Sequence, residues 1–205
     1  MARMSPAARR ATILDATLAV MGRKGIAGTT VRDIAAEMGT SSGLIHHYVA
    51  SMDELLAEAF EQVADADLAV TVAEMASSGG SPVARLAMFL ASYSRADNDA
   101  AFQLWLDAWA EASRRPVLRE VSMRLNIAWQ ELLASTIRDG VEAGSMACAD
   151  PDATAWRIVS LLDGLSLQVV AHGDSLDRRV VHEWGAAYAE TELALPAGSL
   201  LVRRG

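Results

Sequence analysis

Thr40, Ser41, Ser42, Gly43, His46 and His47 form the one run in this 205-residue chain whose side-chain types and spacing imply a task. Hydroxyls and imidazoles are compact hydrogen-bonding groups, suited to phosphate oxygens and to the donor and acceptor patterns on base edges. No carboxylate occurs in GTSSGLIHHY, so a surface built from it can approach a polyanion without repulsion. Catalytic groupings are missing. Gly22, Gly25 and Gly28 have neither the lysine and hydroxyl of a phosphate loop nor a preceding strand. Lys24 is the only lysine, which excludes a serine–lysine pair, and the single Cys148 has no histidine near it in sequence. His46 and His47 diverge by roughly 100° on a helix and cannot chelate one ion together. His172 and His182 flank a turn and read as capping or surface groups. The expectation is no enzyme, no metal and no cofactor.

The reading run needs elements to hold it. Thr30 followed three residues later by Asp33 is a capping box, and Val31, Ile34, Ala35 and Met38 then repeat on one helical face. Gly39 supplies the left-handed residue that ends this helix, and Thr40, Ser41 and Ser42 can cap the next within a three-residue turn. Leu44, Ile45 and Tyr48 tuck inward, which leaves Thr40, Ser42, Gly43, His46 and His47 outward. Ser51 and Glu54 repeat the capping pattern and launch a long helix over residues 52–75. Behind the pair, Ile13, Leu14, Thr17, Leu18 and Met21 make one face of a helix closed by Gly22 and Gly25. A plain helical corner is the bland alternative, but a corner has no reason to keep its second helix small, hydroxyl-rich and free of acids.

GTSSGLIHHYVASMDELL resembles the recognition-helix signature of the TetR family of bacterial one-component repressors, and the resemblance spans the chain. It implies an all-α protein whose three-helix head binds an operator in double-stranded DNA, joined to a larger body that binds a small effector and forms a homodimer. Thr30, Ser41, Ser42, His46, His47 and Tyr48 fall where family members touch phosphates and base edges. Val49 stands where an aromatic is usual, and Met52 where a lysine commonly reaches a phosphate. In the body, WLDAWAEASRRPVLRE, GVEAGSM and LLDGLSLQVVAHG resemble the branch related to the choline-responsive BetI regulators.

With 52% hydrophobic residues the chain can fill a sizeable core. One cysteine excludes a disulfide framework and fits a reducing compartment. The apolar run over residues 11–21 is broken by Asp15 and followed by Arg23 and Lys24, so neither a signal peptide nor a membrane span is expected, and the location expected is cytoplasmic. Net charge is −8, unevenly spread: residues 1–50 hold six basic and three acidic groups, a balance of +3, so the remainder carries −11. A basic head on an acidic body orients the molecule toward DNA. Arg3, Arg9 and Arg10, near an N-terminal arm over residues 1–6, can meet phosphates or a minor groove, although solvated arginines are as good a reading.

The expected domains are a head over residues 1–52 and an effector-binding, dimerising body over residues 53–205, linked by the helix at 52–75, which would transmit movement. ASSGGS at 76–81 marks the turn into the body. Pro82, Pro116 and the Asp150–Pro151 pair each open a helix, and Ser175 is expected to cap the last one. Residues 153–170 are apolar on nearly every side and so must be buried on every side, partly against a second subunit. Trp156, Leu161, Leu165, Val181, Trp184 and Tyr188 are the expected interface, in a four-helix arrangement. Phe102, Trp105 and Trp109 lie close to one stripe, with Met123 and Trp129 on the next helix and Asp163 beyond. Aromatic faces beside carboxylates predict an amphipathic or cationic effector. The function expected is a ligand-responsive repressor released from its operator; the alternative is an all-helical enzyme or small-molecule carrier.

Overall fold

The computed structural model describes residues 5–95, 99–173 and 176–201. Nine α-helices occur among the described residues and no strand does: α1 (Pro6–Gly28), α2 (Val31–Glu37), α3 (Ser42–Tyr48), α4 (Met52–Ser77), α5 (Pro82–Ser92), α6 (Asp99–Ala112), α7 (Pro116–Glu142), α8 (Pro151–Ala171) and α9 (Arg178–Glu192). They sort into two compact units, Met1–Asp65 with Gln103–Leu125, and Ala66–Phe102 with Asn126–Gly205. The helix α4 thus gives its first half to one unit and its second half to the other.

In the first unit α1, α2 and α3 close around Ile13, Ala16, Val20, Ile34, Ala35, Ile45, Val49 and Leu55. Ile13, Ile34 and Ile45 are wholly buried, and each such side chain is worth about 1.5–3 kcal/mol of transfer free energy. Val49 occupies core where an aromatic was the pattern, and Met52 packs against the same core. The capping box forms as the sequence predicts: Thr30 Oγ1 accepts from Asp33 N at 3.3 Å and Asp33 Oδ2 from Thr30 N at 3.2 Å. Gly39 takes φ +61 and ends α2.

The first helix departs from expectation. Gly22 does not close it; the break comes at Gly25, with φ 73 and ψ 168, after which one more turn runs to Gly28. That combination is open essentially to glycine alone. A Cβ at Gly25 would stand 2.8 Å from Asp107 Oδ2, and the same oxygen accepts the Ile26 backbone N–H at 3.1 Å. The carboxylate of Asp107, on α6, therefore sits directly on the kink of α1. Around it Arg115 pairs with Asp53 and Glu111, and Arg124 with Glu61.

In the second unit the caps fall on Ser81 before Pro82 and on Asp150 before Pro151. Ser175 lies outside the described residues; the N-cap of α9 is Asp177. The helices α8 and α9 pack against each other, and Leu162, Leu165, Val181, Ala186 and Ala189 on them are buried. Gly185 lets the two approach, since a Cβ there would lie 2.5 Å from Leu162 Cδ2. The C-terminal turn is fixed by buried Glu190, whose two oxygens accept the N–H groups of Gly198 and Leu200 at 2.9 Å. Among the described residues no helix is long and apolar enough to cross a membrane.

Candidate functional site

The outward face of α3 is built by what α3 hides. Ile45 is buried, and Leu44 and Tyr48 are partly so, which turns Ser41, Gly43, His46 and His47 to solvent with Thr40 and Ser42 half-exposed. His47 meets the Tyr48 ring edge-on at 5.0 Å, so Tyr48 both packs on the head core and orients an imidazole. Ser41 is the N-cap residue by backbone geometry but makes no side-chain cap bond, which leaves its hydroxyl for an outside partner.

The head's cations are mostly engaged. Arg23 pairs with Glu37, and Lys24 with Asp33 at 2.6 Å. The Lys24 hydrogen bond, then that of Thr30, hold the Asp33 carboxyl below the usual carboxylate range. Arg10, read from sequence as a phosphate contact or a solvated group, instead pairs with Glu58 and donates to the Tyr48 carbonyl at 3.2 Å, pinning α1 to the end of α3. Arg9 and Arg32 have no ion pair among the described residues, and Arg3 lies outside them.

The expected effector residues divide between the units. In the first, Trp105 packs edge-on to Phe60 at 4.9 Å and leans on Trp109 at 5.5 Å. Met123 is 60% exposed, while the inward stripe of α7 passes through Leu118, Ser122 and Leu125. In the second unit Phe102 is buried, and Trp129 packs with the rings of Phe89 and Tyr93. The three rings stand 5.8–6.0 Å apart, centroid to centroid. The Tyr93 phenol and the Asp163 carboxyl influence each other's ionisation. Burial pushes that carboxyl up to about 7, against the opposing pull of the Tyr93 bond. The Tyr93 phenol is itself held well above its ordinary range, by burial first and by the charge of Asp163 second. Among the described residues no arginine, lysine or histidine pairs with Asp163, and the buried Nε1–H of Trp129 has no acceptor. A signal was available: Tyr93 ends the apolar stripe Leu86, Phe89, Leu90, and a buried tyrosine needs a partner for its hydroxyl.

The expected interface residues also separate. Trp156 and Trp184 are 41% and 53% exposed, Leu167 on the same helix pair is 40% exposed, and Leu161 and Tyr188 are partly buried. Val181 and Leu165 are both buried within the single chain and present little side chain outward. The helix α8 is apolar on nearly every side, but it is not covered on every side by its own chain.

A helix-turn-helix head whose second helix turns a carboxylate-free face outward, in a chain that is helical without strands among the described residues, is the architecture of a DNA-binding transcriptional regulator. Residues 13–59 match the family model described as bacterial regulatory proteins, tetR family, and residues 82–194 match that of the BetI-type transcriptional repressor C-terminal region. The chain belongs to the TetR family, with a BetI-type body. It is 26% identical over 191 residues to the HTH-type transcriptional regulator BetI of Paraburkholderia phymatum, covering 92% of this chain and 95% of that one. The fold superposes with a TM-score of 0.82 on a transcriptional regulator from Saccharomonospora viridis in complex with choline, at 25% identity over 90% of this chain and 97% of that one. It superposes with a TM-score of 0.64 on the multidrug binding protein EbrR complexed with ethidium, at 30% identity over 88% and 98%.

Proposed function

We propose that the chain is a homodimeric repressor that a small cation releases from its operator, and that the cation is held by Phe89, Tyr93, Trp129 and Asp163. One observation carries the effector class: Asp163, a partly buried carboxyl with no cationic side chain paired to it among the described residues, interacts with Tyr93, a member of a cluster of three aromatic rings. An organic cation supplies the missing charge, and each ring face adds about 0.5–2 kcal/mol of cation–π attraction. The unpaired Trp129 Nε1–H favours a ligand that also carries an acceptor atom. Choline and ethidium, bound by the two similar proteins above, are both organic cations. Phe102, Trp105 and Trp109 remain proposed contributors; Met123 does not.

On the DNA side, Ser41, Ser42, Gly43, His46 and His47 read base edges and phosphates, Thr40 and Tyr48 flank them, and Thr30 caps α2 against the backbone. The exposed tryptophans Trp156 and Trp184, with Leu161 and Tyr188, form the dimer contact, which sets two α3 helices roughly 34–36 Å apart or a multiple of this. Effector binding acts along α4, and its differential affinity for the released state limits the effect. The test is selection of bound sequences from random duplex DNA, followed by fluorescence anisotropy on the selected operator with choline or ethidium added. Release by a cation in the wild type but not in Trp129→Ala supports the reading; equal release from both rejects this site.

A further inference from the structure

We propose that Arg10 is a positioning residue for DNA reading: from α1 it fixes the C-terminal end of α3 and, through Tyr48, the direction of the His47 imidazole, so that it governs base preference without touching DNA. The inference rests on the reading proposed above, in which His47 contacts a base edge. The helix α3 has seven residues, too few to be stable by itself, so its roll is set by what holds its two ends. The start is weakly held, since Ser41 makes no side-chain cap bond. The end is held firmly. Arg10 Nη1 donates to the Tyr48 carbonyl at 3.2 Å, one of the carbonyls that the last turn of a helix leaves without an intrahelical partner. The same guanidinium forks onto both carboxylate oxygens of Glu58, through Nη2 to Oε2 and through Nε to Oε1 at 3.3 Å. One planar group therefore ties α1, α3 and α4 together, with its charge at the end of α3 where the helix dipole favours a cation.

The path from Arg10 to His47 is short. Tyr48 packs on the head core, and its ring meets the His47 imidazole edge-on at 5.0 Å with the two planes 87° apart. His47 is exposed, so this contact is what orients its ring. An exposed ion pair adds little stability by itself, and the Arg10 and Glu58 side chains are 45% and 36% exposed; the value of this pair lies in its direction. A base-edge hydrogen bond weakens steeply as its angle departs from linear, so a small roll of α3 is felt as lost discrimination and not as lost fold. Phosphate binding is the rival role for an arginine near the start of such a head, and the two roles predict opposite results when Glu58 is neutralised. A guanidinium that serves phosphate would be released by Glu58→Gln and would bind every duplex more tightly, with a steeper salt dependence. A guanidinium that steers α3 loses its second anchor and, with it, sequence preference.

The experiment is competition fluorescence anisotropy on the full chain over a series of salt concentrations, with a duplex selected by the wild-type protein from random DNA and a random duplex as competitor. Arg10→Gln, Glu58→Gln, His47→Ala and the double variants with His47→Ala are compared, each with its fold checked by circular dichroism. Expected for Arg10→Gln is a selected-to-random affinity ratio lowered by about fivefold or more, the lower end of what one base contact is worth, at an unchanged salt slope. Glu58→Gln lowers the same ratio, and neither substitution lowers it further in the His47→Ala background. Should Arg10→Gln not fold, Glu58→Gln and its double variant carry the same test. Equal losses on both duplexes with the salt slope reduced by about one make Arg10 a phosphate contact and overturn the inference. Additivity with His47→Ala, tighter binding of both duplexes by Glu58→Gln, or an unchanged ratio in both variants overturns it as well. A His47→Ala protein that keeps the wild-type ratio, or a wild-type chain that selects no sequence, instead rejects the reading of α3 on which the inference stands.

Discussion

Substituting Gly25 by alanine tests the contact between α6 and the kink in α1. Two costs are visible. The backbone at φ 73, ψ 168 is a glycine conformation, and forcing a side chain into it costs of order 1–3 kcal/mol. The new Cβ would also stand 2.8 Å from Asp107 Oδ2, and something must shift. If the carboxylate retreats, the Ile26 N–H that it accepts at 3.1 Å is left without a partner beside a buried side chain, at about 1–3 kcal/mol. Gly25→Ala is therefore expected to lose about 3–4 kcal/mol in urea denaturation followed by circular dichroism. Asp107→Ala removes the oxygen and costs about 1–3 kcal/mol alone, because it orphans the same N–H. In the double variant the clash is gone and the orphaned group is counted once, so its loss should fall short of the sum of the singles by at least about 1 kcal/mol. Operator affinity, measured in parallel at denaturant-free equilibrium, should drop with Gly25→Ala because the kink sets how α1 supports α2 and α3. Additivity within about 0.5 kcal/mol, or a Gly25→Ala protein as stable as the wild type, would refute the reasoning.

Replacing His46 or His47 by alanine should narrow the gap between operator and random duplex by about 1–3 kcal/mol per lost base contact, read by competition anisotropy; equal losses on both DNAs would remove these residues from the reading set. Trp184→Glu should give a helical monomer in sedimentation, whereas Val181→Glu should unfold the second unit, because Val181 is buried inside one chain. Asp163 also has a stability signature. Its folded value of about 7 exceeds the ordinary 3.8, so its contribution is fully present below about pH 3.8 and is lost as pH rises through about 7. The loss is on the order of 4 kcal/mol, and Asp163→Asn should abolish it; a wild-type and variant difference that does not grow between pH 5 and about pH 8 would contradict the assignment.

Local chemistry made much of the fold legible. Thr30 with Asp33, Ser81 before Pro82, and Asp150 before Pro151 each specify a helix start through bonds within three residues, and all three formed. The outward face of α3 was legible for the same reason: in a seven-residue helix, hiding Ile45 decides which way His46 and His47 turn. Long-range partners were not. Nothing near Asp107 in sequence points to its partner, a peptide N–H 81 residues away. Met123 and Trp129 share one helix, and periodicity could not tell that one faces solvent and the other Phe89 and Tyr93. Val181 and Trp184 were read as one apolar face; which of them the chain covers itself depends on how closely Gly185 lets α9 approach α8. Pairing within the head was equally hidden, since a count of charges does not say which of them are already spoken for.

That internal pairing governs how the protein finds its operator. Arg10, Arg23 and Lys24 are held by Glu58, Glu37 and Asp33, and Met52 is packed into the head core where a lysine would face a phosphate. Few condensed counterions are then displaced on contact with duplex, so the logarithm of affinity should fall only gently with the logarithm of salt concentration, by about one unit of slope per phosphate neutralised. Non-specific residence on DNA is then expected to be brief, with dissociation and re-encounter favoured over one-dimensional sliding. On the reading proposed above, discrimination among sites would rest on hydroxyl and imidazole contacts that ionic strength hardly touches, and a shift in cellular salt is expected to change occupancy far less than a shift in effector.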